Sequence, residues 1–312
     1  MKQIHKNLLI YFITIFILIE FLINSERLIN VFFDTAELCI KNLFPSILIF
    51  FTITDILNNY NFPYYLSKLF GNIIEKIYKL PKISSYIIFM SLTSGFPGNS
   101  KLIKEQIDNN NLDIYDATKL LTMTHFSNPL FIIYTVGINF FHNKHIGFII
   151  LLVHFITNFI IGYIFRNIYK YEKKEVKYQL TKPLSLISLL KSSFYNSTKI
   201  LINVFGIIIF LSLVTNILNH YLNLSSYSNV IFNGLIEITT GLKYLSILKI
   251  EKTKAIALAT FFISFGGFSI HMQIMSILNK YDINYYIYLI SRILHGTISS
   301  LLVYLILTYY KQ

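Results

Sequence analysis

In the stretch "LTSGFPGNSK" (92–101), one glycine precedes Phe96 and Pro97 and another follows them. The stretch begins one residue after the apolar run "ISSYIIFM" (83–90). Glycine adopts positive φ at little steric cost and proline removes a backbone donor, so we expect one helix to end here and another to begin. In lipid every backbone N–H and C=O needs a partner, so a break at membrane depth is tolerated only inside the protein or beside water. The stretch therefore predicts a broken or re-entrant helix, provided that the chain lies in a membrane.

The composition indicates that the bilayer is the solvent of this chain. Of its 312 residues, 54% are hydrophobic and only 13% are charged, whereas about a quarter are charged in an average soluble domain. Three apolar runs, 7–24, 146–165 and 285–307, approach or exceed the ~20 residues that a helix needs to cross the hydrocarbon core. We therefore expect an all-α, polytopic membrane protein.

The N-terminal run resembles a signal sequence but lacks the features of a cleaved one. Lys2 and Lys6 precede it, Glu20 interrupts it, and no small-residue cleavage site follows it. The two lysines favour a cytoplasmic N-terminus, because positively charged flanks stay on the cytoplasmic side. We expect residues 1–30 to form a retained transmembrane helix.

The formal net charge of +12 comes from short basic loops rather than from one basic face, so we expect no nucleic-acid partner. The densest basic segment, 166–182, carries six Lys or Arg residues against Glu172 and Glu175. Basic loops favour the cytoplasmic side of a membrane. We therefore expect residues 166–191 to form a basic cytoplasmic linker.

An internal repeat divides the rest of the chain. Residues 32–60 and 193–221 align without gaps, with nine identities in 29 positions. Such repeats are common in membrane carriers, where they locate the solute site. We interpret the chain as two related halves, residues 31–165 and residues 192–312, joined by the basic linker.

Short, interrupted apolar segments occur in both halves. The run that ends at Gly95 and the run that follows Pro129 are too short to span a membrane, and a run in the second half stops at Gly266. With small gaps, "SGF" (94–96) aligns with "GGF" (266–268). Interrupted segments at matching positions of two repeats indicate a transport site between the halves.

Polar residues cluster at the two breaks of the first half. At the first break, free N–H groups and the helix dipole favour an anion, with Lys101 one turn into the new helix. A surface loop between two helices is the alternative. At the second, His125, Ser127 and Asn128 precede Pro129, which suits the first turn of a helix; an interfacial or packed histidine is the alternative for His125.

Two ionisable residues lie in otherwise apolar stretches, Glu237 in "FNGLIEITTGL" and Arg292 in the last long run. A charged group at membrane depth is costly and is therefore a functional candidate. Glu237 is suited to proton or sodium coupling, or else caps or pairs with a neighbouring helix. Arg292 is suited to neutralising a carboxylate of a solute, or else pairs with Glu237.

The predicted solute-binding residues surround the breaks and these two ionisable groups. They are Ser94, Gly95, Pro97, Asn99, Lys101, His125, Ser127, Asn128, Glu237, Thr239, Thr240, Gly266, Gly267, Ser269, His271, Gln273 and Arg292. Motifs of soluble nucleotide-binding, hydrolytic and metal enzymes do not occur. We expect no enzyme activity, no cofactor and no metal site.

Five segments, in order, resemble the signature of a known family: "LFPSILIFF" (43–51), "SGFPGNSK" (94–101), "FSNPLFIIYTVG" (126–137), "GLIEITTG" (234–241) and "SFGGFSIHMQ" (264–273). They are similar to the YlbJ-type, or SpoVV-type, sporulation integral membrane proteins of the nucleoside-recognition (Gate) domain group. The resemblance covers nearly the whole chain. It implies two Gate-like repeats with broken helices, distantly like concentrative nucleoside transporters.

The resemblance also implies a function, the transport of dipicolinic acid across the outer forespore membrane during sporulation. From the residues alone we expect a carrier for a small organic anion, with or without a coupling proton or sodium ion. A nucleoside or another small solute stays open as the cargo. A non-transporting membrane scaffold of a sporulation complex is a different class of function that also stays open. The lipid bilayer is the expected partner, and oligomer formation stays open.

Overall fold

The computed structural model describes residues 2–171 and 182–309, which form helices and their connecting loops. Residues 172–181 of the predicted linker 166–191 lie outside the described residues. The helices are α1 Lys2–Ile23, α2 Ser25–Leu38, α3 Phe44–Asn59, α4 Phe62–Tyr78, α5 Ser84–Ser94, α6 Gly98–Asp108, α7 Ile114–Met123, α8 Lys144–Phe165, α9 Leu186–Leu222, α10 Ser226–Ile236, α11 Ile238–Ile247, α12 Lys252–Phe265, α13 Gly267–Ile277 and α14 Tyr285–Tyr309. Two π-helical segments, Cys39–Leu43 and Phe131–Phe140, precede α3 and α8.

Five segments of the described chain are long and apolar enough to cross a membrane: His5–Ile23, α8, α9, the α12–α13 pair and α14. The three apolar runs of the sequence fall in α1, α8 and α14, which confirms the prediction of a polytopic helical membrane protein. The 37 residues of α9 extend over roughly 55 Å at 1.5 Å per residue. This helix is therefore longer than the hydrocarbon core is thick.

Four breaks interrupt helices inside the protein. In the first half, residues 95–97 separate α5 from α6, and residues 124–128, which we call the unwound segment, follow α7. In the second half, Glu237 separates α10 from α11, and Gly266 separates α12 from α13. The predicted all-α architecture with broken helices is confirmed.

The order of the breaks differs from the sequence alignment in one detail. The alignment pairs residues 94–96 with residues 266–268, yet the first break of the second half lies at Glu237. Glycine occurs at the breaks where two backbones approach closely, whereas the side chain of Glu237 caps the helix after its break. The glycine-containing breaks of the two halves therefore do not occupy the same place in the order of the helices. The division into two halves stays a prediction.

Two groups of helices surround the breaks. In one group α3 packs along α9, and α2 also packs on α9. Between α3 and α9 lies a buried apolar layer formed by Ile47, Phe51 and Leu201. In the other group α8, α12 and α14 pack together.

Two glycines at the breaks are required by both conformation and space. Gly95 has φ +70°, and a Cβ there would lie 2.6 Å from the backbone nitrogen of Asn128. Gly266 has φ +91°, and a Cβ there would lie 2.5 Å from Nε2 of His125. Positive φ strains other residues, so both positions fit only glycine. The breaks are thus held in direct contact with the unwound segment.

A third glycine gives a test of the packing. Gly241 of α11 lies against Gly234 of α10, and an added Cβ would overlap the Gly234 backbone. We expect Gly241→Ala to lower the free energy of unfolding by about 1–3 kcal/mol, because overpacking forces the backbones apart. Gly206→Ala is the matched control, since nothing lies within 4 Å of its added Cβ. Thermal unfolding in detergent compares the two, and equal melting temperatures would contradict the close crossing.

Candidate functional site

The four breaks meet at one place in the protein. The Phe96 N–H donates to the Phe126 carbonyl at 2.8 Å, which ties the first break to the unwound segment. The unwound segment contacts Gly266 in the break between α12 and α13. A Cβ added at Gly267 would lie 3.3 Å from the Ile236 carbonyl oxygen at the end of α10. All four interruptions therefore border one region.

A small cavity, here called the central cavity, lies in this region and has a volume of about 30 Å³. Five predicted site residues line it: Ser127, Asn128, Glu237, Thr239 and Gln273. Its other lining residues are apolar: Leu43, Ile47, Phe96, Phe131, Val204, Ile208, Ile238 and Ile270. Apart from Phe96, which adjoins the first break, these apolar residues were not singled out from the sequence, because they stand in apolar stretches without any local signal.

Several buried polar atoms around the breaks have no hydrogen-bond partner among the described residues. They are Asn99 Oδ1, His125 Nε2, Ser127 Oγ, Ser269 Oγ and Gln273 Nε2. A buried polar atom without a partner costs roughly 1–3 kcal/mol. Ser127 and Gln273 line the central cavity itself. The cavity is therefore bordered by unused hydrogen-bonding groups that a polar solute can satisfy.

Glu237 presents a carboxylate to the central cavity and caps α11 at the same time. Its Oε1 accepts from the Thr239 N–H at 3.1 Å, and its Oε2 accepts from the Thr240 N–H at 2.7 Å. The side chain is fully buried. Thr240 itself lines a separate cavity of about 70 Å³, together with Asp34 and other residues of α2 and α9.

Arg292 is fully buried in α14 and lies behind the unwound segment rather than at the central cavity. Its Nη1 donates to Asn158 Oδ1 at 3.2 Å and to His295 Nδ1 at 2.9 Å, and its Nη2 donates to the Thr122 carbonyl. Among the described residues, no carboxylate forms an ion pair with it, so the predicted pair with Glu237 does not occur. Arg292 instead binds the last turn of α7.

Side chains of α8 and α14 hold the unwound segment in place. Asn158 donates to the His125 carbonyl at 2.7 Å, and His154 Nε2 accepts from the Ser127 N–H at 3.0 Å. His295 Nε2 donates to the His154 carbonyl at 3.0 Å, because its Nδ1 already accepts from Arg292. The sequence analysis did not predict a role for these three side chains. The available signal was their helical spacing, because His154 and Asn158 lie four residues apart in α8 and His295 lies three residues after Arg292 in α14.

The remaining predicted residues at the breaks do not line the central cavity. The side-chain amide of Asn128 donates to the backbone carbonyl of Ser94 at 3.5 Å, and the side-chain amide of Asn99 donates to the Thr124 hydroxyl at 3.4 Å. His271 has both ring nitrogens in use, one with the Tyr285 hydroxyl at 3.1 Å and the other with the Phe265 carbonyl at 3.0 Å. Gly95 and Pro97 form the turn of the first break, Ser269 lies buried in α13, and Gly266 and Gly267 form the α12–α13 break.

Lys101 borders a second, larger cavity, here called the vestibule, with a volume of about 420 Å³. Its ammonium pairs with Asp55 of α3 and lies 4.0 Å from Glu105 Oε1. Asn58 of α3 donates to Glu105 at 3.2 Å. The Lys101 ammonium is thus held by α3 rather than directed at the central cavity. Asp55 was not predicted, because it lies 46 residues away in the sequence.

The apolar layer of Ile47, Phe51 and Leu201 separates the vestibule from the central cavity. On α3, Phe51 lies one turn from Asp55 of the vestibule and one turn from Ile47, which borders the central cavity. On α9, Leu201 lies between the vestibule-lining residues and Val204 of the central cavity. The Lys101 ammonium also lies over the Phe51 ring, 5.2 Å from the ring centroid, in a cation–π contact.

The fold defines the class of protein. Two solved structures of a variant of CNTnw, a concentrative nucleoside transporter, in the intermediate 1 and intermediate 3 states, have the same fold. They cover 97% of this chain and 85% and 84% of theirs, with TM-scores of 0.51 and 0.50 and sequence identities of 11% and 12%. The chain is therefore an integral membrane protein with the fold of concentrative nucleoside transporters.

Among curated proteins, the chain is similar to the sporulation integral membrane protein YlbJ of Bacillus subtilis (strain 168). The two are 24% identical over an alignment of 301 positions, and the match covers 85% of this chain and 74% of the relative. No protein-family model matches the chain. The resemblance inferred from the five sequence segments is confirmed by this relative.

The vestibule gives a prediction for stability against pH. Glu105 lies on α6, a helix too short to cross the membrane. Burial raises the pKa of its carboxyl group to about 7. The positive charge of Lys101 opposes this shift, and the negative charge of Asp55 adds to it. Since the ordinary value is 4.5, the folded state binds more protons than the unfolded state between the two values. Stability therefore falls as pH rises through this interval.

We expect Glu105→Gln to raise the melting temperature at pH 8 and to have a smaller effect at pH 5, because glutamine carries no charge into this half-buried position. Glu251→Gln, at an exposed glutamate, is the control. Thermal unfolding of purified protein at both pH values measures the difference. An equal shift at both pH values would show that burial of the charge is not the cause.

Proposed function

We propose that the chain is a carrier, rather than an enzyme, that moves a small organic anion across the membrane. The observation that supports this most is the meeting of four broken helix ends around buried polar atoms that lack partners. A helix ends or begins inside a membrane only at a cost, and unused hydrogen-bonding groups add to that cost. A solute that binds at this place offsets both.

The lining of the central cavity suits an anion with a planar ring. The start of α13 lies at the region of the breaks, and such helix ends favour negative charge. The unpartnered Ser127 hydroxyl and Gln273 amide add donors. Phe96 and Phe131 supply flat apolar surfaces. By the resemblance to sporulation proteins, we propose dipicolinate as the solute and the outer forespore membrane as the location.

The size of the central cavity indicates how transport proceeds. A water molecule needs about 10–15 Å³ of such space, so 30 Å³ is too small for dipicolinate. The described state is therefore a closed one. Binding requires the broken elements to move relative to α3 and α9, as in alternating access between the two faces of the membrane.

A nucleoside carrier is the second candidate. The fold of the solved relatives favours it, and Asn128, Glu237 and Gln273 line the central cavity as partners for hydroxyl and base groups. A non-transporting scaffold is the third candidate. It needs no unpartnered polar atoms at the breaks, so the geometry favours it least.

Uptake into liposomes tests the carrier. We expect purified protein to take up labelled dipicolinate saturably and Gln273→Leu to reduce uptake at least tenfold, since a hydrogen bond to a charged group contributes about 1.5–3 kcal/mol. The variant should fold normally, because Nε2 of Gln273 has no hydrogen-bond partner among the described residues to lose. Met272→Leu, on the exposed face of α13, is the neighbouring control and should keep full uptake.

The outcomes separate the three candidates. Saturable nucleoside uptake without dipicolinate uptake would replace the solute and keep the carrier. Absence of both would favour the scaffold. In cells, a deletion strain that accumulates dipicolinate normally would exclude dipicolinate as the cargo.

A further inference from the structure

Glu237 is a buried carboxylate without a cationic partner. Its two oxygens accept from the backbone N–H groups of Thr239 and Thr240, and the two threonine hydroxyls are its side-chain hydrogen-bond partners. Two N–H groups at a helix start stabilise the ionised form. The N-terminus of α11 therefore faces this carboxylate, and no lysine or arginine of the described residues forms an ion pair with it.

The charged and titratable groups on the neighbouring elements are engaged elsewhere. Lys243 of α11 borders the separate cavity that also holds Asp34. Lys101 pairs with Asp55, and Arg292 binds neutral groups behind the unwound segment. His125 and His271 bond to tyrosine hydroxyls. The Cys39 thiol, on the π-helical segment before α3, is a further titratable group that interacts electrostatically with Glu237.

An anionic solute changes this balance. Glu237 lines the central cavity, so a solute carboxylate that binds at this place would lie near the Glu237 carboxylate. Two carboxylates that share one site do not both ionise, because each disfavours the charge of the other. The low dielectric of the membrane interior strengthens this repulsion.

We propose that Glu237 takes up a proton when the anion binds, so that the carrier moves each anion together with one proton. The proton comes from water on the side where the anion enters and returns to water on the side where it leaves. Protonated Glu237 keeps one oxygen to cap α11 and offers its O–H to the solute carboxylate. This inference rests on the proposed function, since it requires an anionic solute.

Linkage makes the inference measurable. If anion binding adds a proton to Glu237, then added protons must tighten anion binding by the same factor. The dissociation constant should fall by up to about tenfold for each unit of decreasing pH, the limit for one linked proton. A neutral analogue of the solute, the diamide of dipicolinic acid, should show no such dependence.

The experiment uses the full chain in lipid nanodiscs, with labelled dipicolinate and the diamide as probes between pH 6 and pH 8. We expect the wild type to bind dipicolinate more tightly at lower pH. Glu237→Gln, which resembles the protonated acid and can still cap α11, should bind dipicolinate at pH 8 as tightly as the wild type does at pH 6. Glu26→Gln, at an exposed glutamate, should keep the wild-type pH profile.

Proton movement gives a second readout. In liposomes that contain a pH-sensitive dye, dipicolinate uptake by the wild type should acidify the interior. Uptake by Glu237→Gln, if it persists, should not acidify it. Unchanged melting temperature of the variant in nanodiscs shows that the cap survives.

Three results would overturn the inference. A wild-type affinity that is independent of pH excludes the linked proton, and a normal pH profile in Glu237→Gln assigns the proton to another group. Loss of dipicolinate binding by Glu237→Gln at every pH would show that the ionised carboxylate itself is needed. Binding that lacks pH dependence removes only the proton site, whereas no dipicolinate binding at any pH removes the proposed function as well.

Discussion

The requirement that every backbone group in a membrane finds a partner governs this structure. Each break frees N–H and C=O groups that water satisfies in a soluble protein. Here buried side chains of neighbouring helices take that role: Arg292 binds the Thr122 carbonyl, Asn158 the His125 carbonyl, His154 the Ser127 N–H and His271 the Phe265 carbonyl. The unwound segment is thereby fixed from behind by α8 and α14, which contribute no residue to the lining of the central cavity, whereas His271 of α13 binds the carbonyl at the α12–α13 break.

This arrangement divides the polar residues into two kinds. Behind the breaks, His154 and His295 have both ring nitrogens engaged. Those that face the breaks, such as Ser127 and Gln273, keep atoms without partners. The first kind gives the region a fixed shape, and the second leaves it capacity to bind.

The sequence predicted the architecture well because its signals are local. Apolar length identifies the spanning helices, and Gly95 and Gly266 mark breaks because no other residue fits their backbone conformation and close contacts. The location of five cavity-lining residues followed from the same breaks. The division into two related halves, which the internal repeat predicts, stays a prediction.

Other features could not be predicted, because they depend on which helices meet. Lys101 was expected to face an anion, and only the fold shows that Asp55 of α3 takes its ammonium. The same holds for Arg292, whose partner Asn158 lies 134 residues earlier. Apolar residues such as Val204 line the central cavity by position alone. Long-range neighbours carry no trace in local pattern.

The apolar layer of Ile47, Phe51 and Leu201 has a consequence for water and ions. It lies between a vestibule of about 420 Å³ and a central cavity of about 30 Å³, and apolar side chains in contact leave no continuous file of water. Among the described residues, water therefore has no continuous path through this layer from the vestibule to the central cavity. A dry constriction of this kind excludes ions as well as water, in the way that hydrophobic constrictions close channels.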